Sequence, residues 1–205
     1  ALFLHQVAVH HRDLARRATR TVILSDGEVI EEYLAKTFPT LNEAQLVEAT
    51  RNLEPQKHAP GAVQCLADEV KALGVKRPML VTDGGLVKAG IAERVTDVLK
   101  AGNVDYFLFD GVIANPPIRL VNEAGMRYLG EGCDGLIGLG GGSPMDTAKA
   151  IGVVVKNGGS ILEYEWADPQ PIKKRIPPLI TVPTTAGTGS EVTLWSVITD
   201  PARHI

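Results

Sequence analysis

The residues of this chain best suited to chemistry are small ones. Three consecutive glycines, Gly140, Gly141 and Gly142, precede Ser143, Pro144 and Asp146 in "GLIGLGGGSPMDTAKAIG". Glycines let a bulky anion approach the backbone. A helix starting there turns free N–H groups and the positive end of its dipole toward that anion. This is the chemistry of holding a phosphate. Capping alone accounts for the next residues: Ser143 as N-cap, Pro144 at the first helical position and Asp146 at the third, where a carboxylate meets unpaired N–H groups. Capping does not account for the triplet, since one glycine would make the turn. The spacing is not G-x-G-x-x-G, so this is no standard dinucleotide fingerprint. A second stretch, "VPTTAGTGSEVT" from Val182 to Thr193, offers the hydroxyls of Thr184, Thr185, Thr188 and Ser190 on a glycine-loosened backbone. Such a cluster is also ordinary loop chemistry, unless the fold brings it beside the glycines.

The elements that must position these residues read as strands alternating with helices. The pattern predicts strands at Pro78–Thr82, Val104–Asp110 and Leu136–Leu139. Helices are expected over Leu86–Ala101, Ile118–Gly130 and from Ser143 to Lys156. Pro177–Pro183 and Glu191–Asp200 read as two further β-rich runs. Strand–helix alternation at this spacing implies βαβ units and a mostly parallel sheet with helices on both faces. Ligands of such sheets bind beyond the carboxyl ends of the strands. The turns "TDGG", "DGVIANPP", the triple glycine and "TTAGTGSE" all come directly after strands, so all four fall at that edge.

Composition narrows the class. The chain has 205 residues, of which 44% are hydrophobic and 22% charged, which suits a globular protein of one large or two small domains. A net charge of -3 argues against nucleic acid or an anionic membrane surface as the main partner. Cys65 and Cys133 are too few for a disulfide framework, which suggests a reducing cytoplasm. No apolar run approaches the roughly 20 residues of a membrane span. "ALFLHQVAV" is too short for one and lacks the basic flank of a signal peptide. The chain opens without methionine and stops at "TDPARHI" after an expected strand, so it reads as cut at both ends.

At "VTDGGLVKAG", "FDGVIANPP", "GLGGGSPMDTAKAIG" and "IPPLITVPTTAGTGSEVT" the sequence resembles the iron-containing (group III) alcohol dehydrogenases, in order and over roughly residues 62–205. The resemblance implies a Rossmann-like NAD-binding domain over 62–205. It places Gly141, Gly142 and Ser143 on the NAD pyrophosphate, Thr184, Thr185 and Thr188 along the cofactor cleft, and Asn115 near the adenosine half. Asp146 belongs to the same motif and is expected at the cofactor site. Asp83 falls where the family carries an acid that favours the free ribose hydroxyls of NAD. A carboxylate there accepts hydroxyl hydrogen bonds and repels the extra phosphate of NADP, although Asp83 also reads as a plain turn residue. The family's metal, Fe²⁺ or Zn²⁺, is held by an aspartate and three histidines in a helical domain downstream of Ile205. No catalytic or metal-binding residue is therefore expected in this chain. A small alcohol or aldehyde would be the substrate of the complete enzyme, and a homo-oligomer is expected. A non-catalytic nucleotide-binding or assembly module, and the glycerol-dehydrogenase-like branch of the same fold, are the alternatives.

Residues 1–61 depart from that pattern. "AVHHRDLARRATRTVILSDGEVIEE" resembles the tail of an ABC-transporter ATPase domain, with His10 at the switch-histidine position. "FPTLNEAQLVEATRNLEPQKHAPGAV" resembles the opening of a cyclic-nucleotide-binding domain. The plainer reading of the segment is an amphipathic helix, a strand and a helix.

Overall fold

In "PMLVTD" every second residue faces the same way, yet all are apolar up to the threonine, so the strand must be covered on both faces. The computed structural model shows that cover. It describes residues 61–165, 172–193 and 195–203, together with the backbone of Val22–Ile23. Five strands, β1 (Val22–Ile23), β2 (Pro78–Asp83), β3 (Phe107–Val112), β4 (Gly135–Gly140) and β5 (Leu179–Pro183), form one sheet in the order β1-β5-β4-β2-β3. Every pairing is parallel. The helices are α1 (Leu66–Ala72), α2 (Gly84–Lys88), α3 (Ile91–Ala101), α4 (Ile118–Gly130) and α5 (Gly142–Asn157).

Two apolar layers sandwich the sheet. Leu80, Ile137 and Ile180 point to one side and pack with Leu66 and Val70 of α1 and Val95 and Leu99 of α3. Met79, Val81 and Leu136 point to the other and pack with Val121 and Ala124 of α4 and Ala148 and Ile151 of α5. This is the α/β architecture expected, with helices on both faces.

The strand order places the site. From β2 the chain moves outward to β3, whereas from β4 it moves the opposite way to β5. Connections that diverge from adjacent strands leave a crevice between their carboxyl ends, where such sheets bind ligands. In this sheet the crevice lies between Asp83 and the glycine triplet.

Three expected elements differ from what is observed. The helix over Leu86–Ala101 is two helices, because the Asp83 side chain starts α2 already at Gly84 and Gly90, at φ 72°, ends the first turn in the left-handed region. The strand at Val104–Asp110 begins later and ends at Val112, since Asn103 (φ 53°) and Val104 belong to the turn that closes α3. Among its described residues, Glu191–Asp200 forms no strand. Its backbone makes one isolated bridge, Thr199 with Pro117, and several of its polar groups turn inward to side chains of α5.

Candidate functional site

The triple glycine divides into one residue the fold requires and two it does not. Gly140 has φ 145°, and a Cβ there would lie 2.6 Å from Pro144 Cγ and 3.2 Å from Leu86 Cδ1. The turn therefore demands glycine at this position. Gly141 has an ordinary φ of -79°, and a Cβ added to it would come 3.3 Å from Thr185 Oγ1. At Gly142 an added Cβ would lie 3.8 Å from Thr188 Cβ. Thr185 and Thr188 thus lie close over Gly141 and Gly142, whose backbone would accept other residues.

The helix that starts there is uncapped. α5 has Gly141 as its N-cap residue, and no side chain caps it. The N–H groups of Gly141, Gly142 and Ser143 have no carbonyl four residues back within the helix, so they are donors awaiting an acceptor. Pro144, at the third helical position, has no N–H to leave unpaired. Ser143 is not the N-cap and Asp146 is not in the first-turn capping position, because the strand runs to Gly140 and the helix begins at once at Gly142.

Close packing sets the depth of this helix on the sheet. A Cβ at Gly138 would stand 3.2 Å from the Cα of Met145 and 3.3 Å from Ala148 Cβ, so α5 lies down against β4 only because that residue is glycine. The second loop is tied to the same point, since Gly140 pairs with Pro183 and the Thr184 N–H donates to Gly140 O at 2.9 Å. The structure therefore brings Thr184, Thr185 and Thr188 onto the triplet, as expected. Thr188 also donates its hydroxyl to Glu191 Oε2 at 3.1 Å, which folds the loop back on itself.

Asp83 lies across the crevice. Two residues beyond the Val81–Gly138 pair, it ends β2 where β4 has reached Gly140. Its Oδ1 accepts from the N–H groups of Gly85 (2.8 Å) and Leu86 (3.0 Å), capping α2. Oδ2 has no partner among the described residues, so the carboxylate caps a helix and still presents an acceptor. Asn115 lies one strand further out, exposed on the loop after β3 with φ 52°.

Asp146 is turned away from the glycines. Its Oδ1 accepts from Ser190 Oγ at 2.7 Å and its Oδ2 from the Val197 N–H at 3.0 Å, and Lys149 Nζ stands 2.8 Å from Oδ1. Lys149 also donates to the carbonyls of Ser190 (3.0 Å), Thr193 and Trp195. Burial pushes the Lys149 amine down from the usual lysine range, and the Asp146 carboxylate opposes that shift. Lys149 was missed in the sequence, although its place three residues after Asp146 puts both on one helical face.

Among the described residues no group of three or more His, Cys, Asp or Glu side chains could hold a metal, and no helix is long and apolar enough to cross a membrane.

Against known proteins, the profile of the iron-containing alcohol dehydrogenases matches residues 54–205. The chain belongs to that family. Choline dehydrogenase of Bacillus subtilis (strain 168) is 55% identical over 149 residues, covering 72% of this chain and 37% of that protein. Lactaldehyde reductase of Escherichia coli (strain K12) is 42% identical over 150 residues, covering 70% of this chain and 38% of that protein. The solved sulfoacetaldehyde reductase of Bifidobacterium kashiwanohense in complex with NAD⁺ is 30% identical with a TM-score of 0.64, covering 70% of this chain and 37% of that one. The chain thus spans little more than a third of the curated relatives it matches. The likeness of residues 1–60 to an ABC-transporter tail and a cyclic-nucleotide-binding domain finds no support. The family profile begins inside the second of those stretches, and His10 lies outside the described residues.

Proposed function

We propose that this chain binds NAD(H) and forms the cofactor-binding part of an alcohol dehydrogenase. The observation that carries the reading is the uncapped start of α5, whose first three N–H groups have no acceptor within the helix and which lies directly beneath Thr185 and Thr188. A pyrophosphate is anionic, bulky and rich in acceptors, and it suits that cradle. Gly141, Gly142 and Ser143 would hold it, with Thr184, Thr185 and Thr188 closing the other wall. Asp83 would accept the adenosine ribose hydroxyls on Oδ2, with Asn115 toward the adenine side. When bound, the nicotinamide exchanges hydride with an alcohol carbon. The relative solved with NAD⁺ supports this choice of cofactor.

NAD is preferred over NADP on this reading, because the Asp83 carboxylate repels a ribose phosphate. Asp83→Gly is expected to narrow the ratio of NADH to NADPH affinity about tenfold. Glycine is tolerated as an N-cap at a cost of only a few tenths of a kcal/mol, so the fold should survive. Competitive titration of both cofactors checks this, and equal affinities in the unmodified chain would refute the role of Asp83.

Binding and turnover are expected to separate in this chain alone. Hydride leaves an alcohol carbon readily only once the oxygen is polarised or deprotonated, and the described residues offer no metal cluster for that task. With NAD⁺, short alcohols or 1,2-propanediol and added Fe²⁺ or Zn²⁺, no NADH should form even though NADH binds. Turnover abolished by a chelator would mean that the chain holds a metal site of its own.

A further inference from the structure

We propose that Asp146, Lys149 and Ser190 form a latch that positions the threonine loop over the phosphate cradle. They act on the cofactor without touching it, and this rests on the NAD reading above. The loop is exposed from Thr184 to Gly187 and half-buried at Thr188, and its first residue is fixed by one backbone bond to Gly140. The latch itself is buried. Ser190 is 5% accessible, Asp146 7% and Lys149 9%. The two oxygens of Asp146 take separate donors from the segment after the loop, Ser190 Oγ and the Val197 N–H, while the Lys149 ammonium gathers three of its carbonyls.

The described residues of that segment form no strand and so have no ladder to hold them, and here buried side chains replace that ladder. Both anchors stand on α5, one and two turns from the uncapped N–H groups. The helix that offers the donors therefore also sets the height of Thr185 and Thr188 above them. Loosening the latch should leave the cradle in place but free its roof, which lowers affinity by removing preorganisation.

The test uses Ser190→Ala in the whole 205-residue chain, which removes one hydroxyl and leaves both charges paired. NADH affinity should fall about tenfold, in keeping with the loss of a hydrogen bond to a charged group. Adenosine has no phosphate to reach the cradle, so its affinity should stay unchanged. Amide exchange should quicken at Val192, Thr193 and Val197. Adding Asp146→Asn should cost less than its separate effect, because the two residues share one bond. Unchanged NADH affinity, or an equal fall for adenosine, would overturn the positioning role. If the unmodified chain bound no NADH, the cofactor reading would fail instead. The exchange data would still decide the latch, with quickened exchange supporting it and unchanged exchange sinking it.

Discussion

Gly141→Val should lower NADH affinity about a hundredfold or more, with the fold preserved. Valine's two methyl groups would occupy the space between the α5 N-terminus and Thr185, where a bare Cβ already comes 3.3 Å from Thr185 Oγ1. The backbone at this residue suits any side chain, with φ at -79°. Exchanging glycine for valine at an N-cap costs about 1 kcal/mol, which lowers the melting temperature of a chain of this size by about 3 °C. Gly140→Val is the informative contrast, because its positive φ and the 2.6 Å approach to Pro144 Cγ make it a folding defect. Calorimetry beside a fluorescence titration separates the two. A Gly141→Val chain that binds NADH normally would remove the glycine pair from the site.

The second large effect is on stability. Lys149→Met keeps much of the apolar stem but leaves the Asp146 carboxylate buried without its cation and three carbonyls without their donor. Breaking a buried ion pair from one side costs about 3–5 kcal/mol, or roughly 10 °C in melting temperature. Asp146→Asn combined with Lys149→Met should be milder than the sum of the two, by about 1–3 kcal/mol, since the pair is coupled. A Lys149→Met chain that melts within about 2 °C of the unmodified one would show that this ion pair contributes little.

Periodicity carried the sheet and its helices, because the apolar residues of β2, β4 and β5 serve both core layers and leave runs that end in glycine, proline or aspartate. Ile118–Gly130 emerged with the bounds expected, as its apolar stripe is unbroken. Local pattern misleads where a side chain far along the chain decides the structure. Glu191–Asp200 has the composition of a strand, yet Lys149 and Asp146 claim several of its backbone groups. Ser143 has the chemistry of a cap, yet the helix begins one residue before it. The depth at which Gly138 seats α5 on β4 is likewise a tertiary fact with no local signature. The converging loops were legible because a parallel sheet puts every strand's end at one edge. The division of labour within the triplet was not, since only the distances to Pro144 and Thr185 tell its members apart.

The central claim is that the pyrophosphate rests on the N-terminus of α5, and amide spectroscopy during an NADH titration tests it most directly. Large, saturable shifts of the Gly141, Gly142 and Ser143 N–H signals are expected, with Thr185 and Thr188 moving at the same midpoint. Saturable binding that leaves those three amides unmoved, and shifts residues of the groove between β3 and α4 such as Leu120 and Arg127 instead, would contradict it.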